Sequence, residues 1–421
     1  MRIPGYCDAD FLRSLEDLAG TPCFLYDEEV IRSQAEVVRK FPAPHGLFPR
    51  YAMKACPTRA ILALLRDEGF GIDASSGFEV ERALRAGFPP DRISLSSQEV
   101  PEDFERWVER GVWINACSLS QLHRYGERFP GARVGLRFNP GLGSGGTAKT
   151  NVGGPSSSFG IWHGKREEVR ALLERHSLVA DRIHTHIGSG SDPAVWQRTA
   201  RLSLDLVRGF PEVDTLNLGG GYKVARMPGE SATDLLRIGE PVARTLEEFA
   251  AETGRRVRLE VEPGTFLVAN AGYLVCRVQD VVDTGAEGHR FLKLDGGMTE
   301  VLRPSLYAAQ HPIGIVPRDD AASPPEGSFV VVGHCCESGD LLTPTPGDSE
   351  GIDERVLPEP RIGDWCLIGG VGAYCAAMSA KNYNSFPEAP EVLRRSSGGL
   401  RLIRRRQTLD QILANEIPEE A

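Results

Sequence analysis

A (β/α)8 TIM-like barrel followed by a β-rich second domain is the architecture this sequence predicts, and two observations predict it. Between about Thr21 and Gly264, apolar or alternating runs take turns with amphipathic helical patterns eight times. Parallel strands joined by crossover helices close into a barrel at that number. From about Phe266 the helical periodicity fades until the tail, and β-rich runs separated by Pro, Gly and Asp take over. The expected division is 21–264 for the α/β barrel and 265–421 for an all-β, Greek-key-like domain, with residues 1–20 packing on the latter. A doubly wound open sheet is the competing arrangement for the first part.

Taken in order, the barrel strands expected are Leu47–Met53, Phe70–Ala74, Arg92–Ser96, Val112–Ala116, Arg133–Phe138, Arg182–Ile187, Val213–Leu218 and Val257–Val261. Each is apolar or alternating, and most end in turn-forming residues. Helical periodicity lies between them, from Thr58, from Phe78 and from Thr233 to Thr253. In the second domain the strands read as YLVCRVQDVVDTG, HRFLKLDGG, GSFVVVGH and GDWCLIGG. Arg318–Gly327 and Thr343–Pro360 read as polar, proline-bearing loops, and the arginines at 404–406 as a solvated face or strand edge.

Composition narrows the function. Lys and Arg number 48 against 58 Asp and Glu, a net charge of −10 over 421 residues. That balance repels polyanions and argues against nucleic acid or an anionic membrane as a partner, leaving room for local basic pockets. The nine cysteines are scattered, with no C-x-x-C pair and no histidines at zinc spacing, so neither a disulfide framework nor a structural metal is expected. The start lacks a cationic segment followed by an apolar one, and no run has membrane-spanning length, so the chain reads as cytoplasmic.

In such barrels the reacting groups sit at the C-terminal ends of strands. Lys54 follows the first strand and Asp73 the second, His184 and His186 end the sixth, Gly219, Gly220 and Gly221 follow the seventh, and Glu262 the eighth. Each has an ordinary alternative: a lysine snorkelling from a strand end, satisfied barrel-mouth histidines, a tight glycine turn, a capping or surface carboxylate. Together they supply an amine that can form a Schiff base, a flat ring, a phosphate cradle with a helix dipole behind it, and a carboxylate to hold a proton on a heteroaromatic nitrogen. Those are the needs of pyridoxal 5′-phosphate.

The motifs YAMKA, DASSGFEVERALRAGF, HTHIGSGSD, NLGGGY, EPG, RPSLY, CESGDLL and GAYCAAMSAKNYNS, in that order, resemble those of the fold-type III pyridoxal-phosphate-dependent decarboxylases. The segment from Leu136 to Trp162 and the tail RLIRRRQTLDQIL resemble the branch of that family acting on diaminopimelate. The resemblance implies decarboxylation of meso-diaminopimelate to L-lysine in a homodimer with shared sites. It implies that Lys54 binds the cofactor covalently, His186 stacks on its ring and Glu262 pairs with its ring nitrogen. Asp73, Ser189, Gly219, Gly220, Gly221, Gly264 and Tyr374 would complete the cofactor site. Cys336 would donate a proton to the product carbanion and Glu337 grip the distal ammonium, both reaching into the neighbouring subunit. Arg303 and Tyr307, with Tyr374, would bind the rest of the substrate. The family's EPGR reads EPGT here, so Thr265 replaces an arginine. That departure keeps open a sibling decarboxylase of D-ornithine or D-lysine, and a silent pyridoxal-phosphate-binding regulatory homologue remains a further alternative. A racemase is disfavoured by the CESGDLL and GAY segments.

Overall fold

The computed structural model describes residues 3–144, 153–319 and 324–417. The segment from Leu136 to Trp162 therefore lies partly outside the described residues, as does the loop expected at Arg318–Gly327. Two compact units emerge: Arg32–Val224 with Ser231–Leu267, and Met1–Ile31 with Ala225–Glu230 and Val268–Ala421.

The first unit is a closed barrel of eight parallel strands, Leu47–Ala52, Gly71–Ala74, Ile93–Leu95, Trp113–Ala116, Arg133–Asn139, Val179–Thr185, Thr215–Asn217 and Arg258–Val261. Closure comes from Leu259 opposite Leu47, where the last strand meets the first. The expected strands coincide with these to within a few residues, because parallel barrel strands are buried on both faces and read as apolar runs. Inside the barrel, Arg50 makes a two-pronged ion pair with Glu260 at 3.0 and 2.9 Å, and Arg182 lies 3.4 Å from the same carboxylate. Burial disfavours ionised Glu260, but Arg50 and Arg182 outweigh it and hold the carboxyl below its usual range.

Helices cover the strands as their apolar stripes require. Helix Leu235–Thr253 buries Leu235, Ile238, Val242, Leu246 and Phe249. Asp234 caps its start by accepting from the backbone N–H of Leu236 and Arg237. Helix Pro193–Arg208 starts at the N-cap Asp192, with proline in its first turn.

The second unit is built on the long strand Gly272–Asp283. Its first half pairs with Cys23–Asp27 on one side and Trp365–Gly369 on the other, and its second half with Arg290–Leu294, after a register shift between Val278 and Asp280. The sheet is mixed: Cys23–Asp27 runs parallel to Glu391–Arg394, and Arg290–Leu294 parallel to Glu326–Val332. Two expectations change here. Residues 21–31, assigned to the barrel, belong to this unit, because Cys23–Asp27 is a central strand of its sheet. Helix Ala9–Ala19 buries Leu12 and Leu15 in a core with Cys23, Leu25, Val275, Trp365, Leu367 and Val392. The stretch expected as a loop at Thr343–Pro360 contains the hairpin strands Pro344–Thr345 and Asp348–Ile352 and the edge strand Arg355–Pro358. Of the cysteines, seven are buried, Cys335 is half-buried and Cys336 exposed. Among the described residues no helix is long and apolar enough to cross a membrane.

Candidate active site

Lys54 lies in the short 3-10 turn Met53–Ala55 that ends the first barrel strand, exposed while Met53 and Ala55 are buried. The backbone N–H of Ala52 donates to the Pro263 carbonyl at 3.2 Å, which ties this turn to the GluProGly segment. A side chain on Gly264 would press at 3.3 Å on both Ala52 and Ala55, so the glycine permits that approach.

Glu262 is buried, and a relay of polar groups orients it. Asn115 Nδ2 donates to Ser96 Oγ at 2.9 Å, and Ser96 Oγ lies 3.3 Å from His184 Nδ1. Ionised Glu262, opposite Nε2, is acceptor-only, so Nδ1 accepts from Ser96 Oγ–H and the ring proton of neutral His184 sits on Nε2. That nitrogen faces Glu262 Oε2 at 3.2 Å. Asn217 Nδ2 donates to the other oxygen at 2.7 Å. Burial works against ionisation of Glu262, and its neighbours, His184 first, outweigh it, so the carboxyl lies well below its usual range.

Asp73 goes the opposite way. Burial and then the Glu262 charge push it well above the usual carboxylate range, against the pull of Lys54 and Arg137. Two buried carboxyls that feel one another's charge are thus driven in opposite directions. His186 is pressed well below its usual value by burial, Arg137 and Lys54, so its ring is neutral. Among the described residues, Asp73 Oδ1 and His186 Nδ1 are buried without hydrogen-bond partners.

Beside them runs a glycine-lined edge. Gly221 has φ 103°, and a Cβ there would fall 1.7 Å from the Gly188 carbonyl oxygen; on Gly219 it would meet the His186 ring at 2.6 Å. On Gly220 a Cβ would strike the Glu262 carbonyl oxygen at 2.0 Å. The Gly190 N–H donates to the Gly221 carbonyl at 3.1 Å and the Ser189 N–H to Ser144 at 3.1 Å, which joins the Ser189 and Gly219–Gly221 loops side by side. One expectation fails: no helix directly follows the three glycines, since the next begins at Leu235 and Asp234 caps it. The cradle thus rests on backbone geometry rather than on a dipole behind Gly221.

The remaining predicted residues lie in the β-rich unit. Cys336 and Glu337 occupy a loop pinned by Asp340, whose carboxylate accepts from the N–H of Met298 at 2.6 Å and of Cys335 at 2.9 Å. Glu337 Oε1 accepts from Gly339 N–H at 3.0 Å. Burial, and next Asp340, push the Cys335 thiol up to about 12. Arg303 and Tyr307 begin and end the helix Arg303–Tyr307, and Ser305 Oγ on that helix donates to the Gly339 carbonyl at 2.6 Å. Tyr374 adopts φ 55°, a left-handed conformation that a non-glycine residue keeps only where its surroundings impose it.

Sequence reading passed over Asn115, Ser96, Arg137, Asn217 and Asp340 as participants. Asn217 carried a usable signal, since it directly precedes LGGG and its Oδ1 accepts from Gly219 N–H at 2.8 Å. Arg137 carried none, because its electrostatic influence on Asp73 and Glu262 comes from a different strand.

Residues 27–269 match the family model described as "Pyridoxal-dependent decarboxylase, pyridoxal binding domain". The chain is 38% identical to diaminopimelate decarboxylase of Streptomyces coelicolor over 99% of its own length and 94% of that protein. A crystal structure of a diaminopimelate decarboxylase superposes with TM-score 0.91 at 36% identity, covering 98% of this chain and 97% of the other. Another, from Helicobacter pylori in complex with L-lysine, superposes with TM-score 0.83 at 26% identity, covering 96% and 99%.

Proposed function

The chain belongs to the family of pyridoxal-dependent decarboxylases, and from that premise we infer that it converts meso-diaminopimelate to L-lysine and CO2. The observation that carries the inference is full-length kinship with diaminopimelate decarboxylases together with a barrel mouth that joins Lys54, an ionised Glu262, a neutral His186 and a glycine cradle.

The residues suit pyridoxal 5′-phosphate. The edge at Gly219–Gly221 has no room for side chains, and the unpartnered Asp73 Oδ1 and His186 Nδ1 are buried polar atoms. When bound, the cofactor supplies an electron-poor ring that accepts the electron pair left by the breaking Cα–carboxylate bond. Lys54 would supply the amine that holds the cofactor's aldehyde. Ser189, through its hydroxyl, and the Gly219–Gly221 edge, through the backbone N–H groups of Gly220 and Gly221, would hold the phosphate, with Tyr374 joining them. Glu262, held ionised and oriented by Asn217 and His184, keeps a proton on the ring nitrogen. Cys336 returns a proton to Cα after CO2 departs, Glu337 takes the distal ammonium, and Arg303 with Tyr307 takes the distal carboxylate. In this reading the protein is a cytoplasmic homodimer in which Cys336 and Glu337 serve the neighbouring subunit's barrel.

Thr265 motivates a second reading, a decarboxylase of D-lysine or D-ornithine. The deciding experiment measures CO2 release by the cofactor-loaded protein from meso-diaminopimelate, with D-lysine, L-lysine, D-ornithine and L-ornithine run beside it. Release from diaminopimelate alone is expected. Release only from a D-amino acid with a bare distal amine would overturn the first reading in favour of the second, and release from none would favour a silent homologue.

A further inference from the structure

Behind Glu262 runs a line of buried, neutral side chains that the proposed chemistry does not use. Ser94 lies in the third barrel strand and Ser96 just beyond its end, two residues apart and so on one face. The Asn115 amide reaches both hydroxyls from the fourth strand, its Nδ2 donating to each Oγ at 2.9 Å. Asn115 stands opposite Gly135 of the fifth strand. A Cβ on Gly135 would fall 2.0 Å from Asn115 Oδ1, so the glycine makes the room in which the amide lies.

The line ends on the carboxylate through His184. Ser96 Oγ accepts from Asn115 and has its own proton free for His184 Nδ1 at 3.3 Å. On the other edge of the ring, Nε2 faces Glu262 Oε2 at 3.2 Å without the alignment of a full hydrogen bond. How firmly the imidazole grips the carboxylate therefore depends on the angle of its ring, and Ser96 anchors the far edge of that ring. The other oxygen of Glu262 is fixed separately, by Asn217 at 2.7 Å. The charged and titratable groups that share an electrostatic interaction with Glu262 include His184, His186, Arg137, Asp73, Cys117 and Tyr222. Substituting Ser96 or Asn115 removes none of them, so what these two residues add is orientation.

We propose that Ser96 and Asn115 are positioning residues for the reaction: acting through His184, they hold Glu262 at the angle that keeps a proton on the ring nitrogen of bound pyridoxal 5′-phosphate. Gly135 belongs to the same device, because a side chain there would displace Asn115. The proposal rests on the reading of Glu262 as the partner of that nitrogen. Its effect passes from the third and fourth strands to the end of the eighth by a chain of polar contacts, each polarising the next.

The test compares cofactor-loaded wild type, S96A, S96T and N115A, with E262Q as the reference for a lost carboxylate. Nitrogen NMR of pyridoxal 5′-phosphate labelled at its ring nitrogen reads protonation there across pH. In S96A that nitrogen should lose its proton about one pH unit lower than in wild type, and in E262Q lower still. On meso-diaminopimelate, S96A should lose about 10-fold in kcat with KM within about 2-fold. S96T keeps the hydroxyl and should stay within about 3-fold of wild type, while N115A should lose about 3-fold in kcat. S96A adds no bulk and keeps the test open should N115A fail to fold. A ring-nitrogen titration in S96A equal to that of wild type would overturn the proposal, and so would equal losses in S96A and S96T, which would mark a packing role. An E262Q titration equal to that of wild type would instead overturn the reading of Glu262 beneath it.

Discussion

At the scale of single residues, the site works by separating the behaviour of like groups through their surroundings. Glu262 and Asp73 are both buried carboxyls, yet one is pushed down and the other up. Because Glu262 stays ionised far below neutral pH, replacing it by Gln should lower kcat by about 100-fold or more without moving the acid limb of the pH profile. Steady-state rates across pH check both halves. Lys54→Ala should cost more, about 1,000-fold or beyond, and abolish borohydride-trappable attachment of the cofactor, read by mass spectrometry. Away from the barrel, burial raises Glu300 from the usual 4.5 to about 7. The folded state then binds more protons than the unfolded one between those values, so stability is lost as pH rises through that window. Relative to Glu300→Gln, the wild type should lose about 3 kcal/mol between pH 4.5 and 7 and little beyond. Denaturant titrations at several pH values measure the slope, and a flat difference would contradict the assignment.

At the scale of elements, the barrel carries its charge in pairs that depend on one another. Glu260→Gln would leave Arg50 and Arg182 facing each other in the barrel interior, at an expected loss of about 3–5 kcal/mol of unfolding free energy. The turn after the seventh strand is as exacting, for a different reason. Gly221→Ala would drive a methyl group into the Gly188 carbonyl and demand a left-handed backbone from alanine. The two loops of the cradle should then part, and cofactor retention in equilibrium dialysis should fall about 100-fold, more than thermal stability does. Strand positions were legible in the sequence because buried parallel strands are continuous apolar runs. The content of Thr343–Pro360 was not, since strand Asp348–Ile352 lies largely exposed with polar residues on both faces, and Arg355–Pro358 is a four-residue edge strand ending in proline.

At the scale of the whole molecule, the proposed function has Cys336 and Glu337 completing the site of a second copy of the chain. Mixing Lys54→Ala with Glu337→Ala subunits should therefore restore activity. Random reassortment makes about half the dimers hybrid, each with one intact site of two, so recovery should approach about a quarter of wild type. Recovery near zero, with subunit exchange shown by native mass spectrometry, would refute the shared site.

By itself the sequence determined the eightfold β/α alternation and the order of the chemistry-bearing residues along it, because strand periodicity and strand-end position are local properties of the chain. Lys54, His186, the three glycines and Glu262 could be placed at one barrel mouth from that register alone. Only the tertiary structure decided which charges these residues carry, since the relay from Asn115 through Ser96 and His184 to Glu262 joins strands far apart in the chain. It also decided that Cys23–Asp27 pairs with Gly272–Asp283 and Glu391–Arg394 rather than entering the barrel. Long-range pairing and mutual burial create those facts, and neither leaves a periodic trace in the sequence.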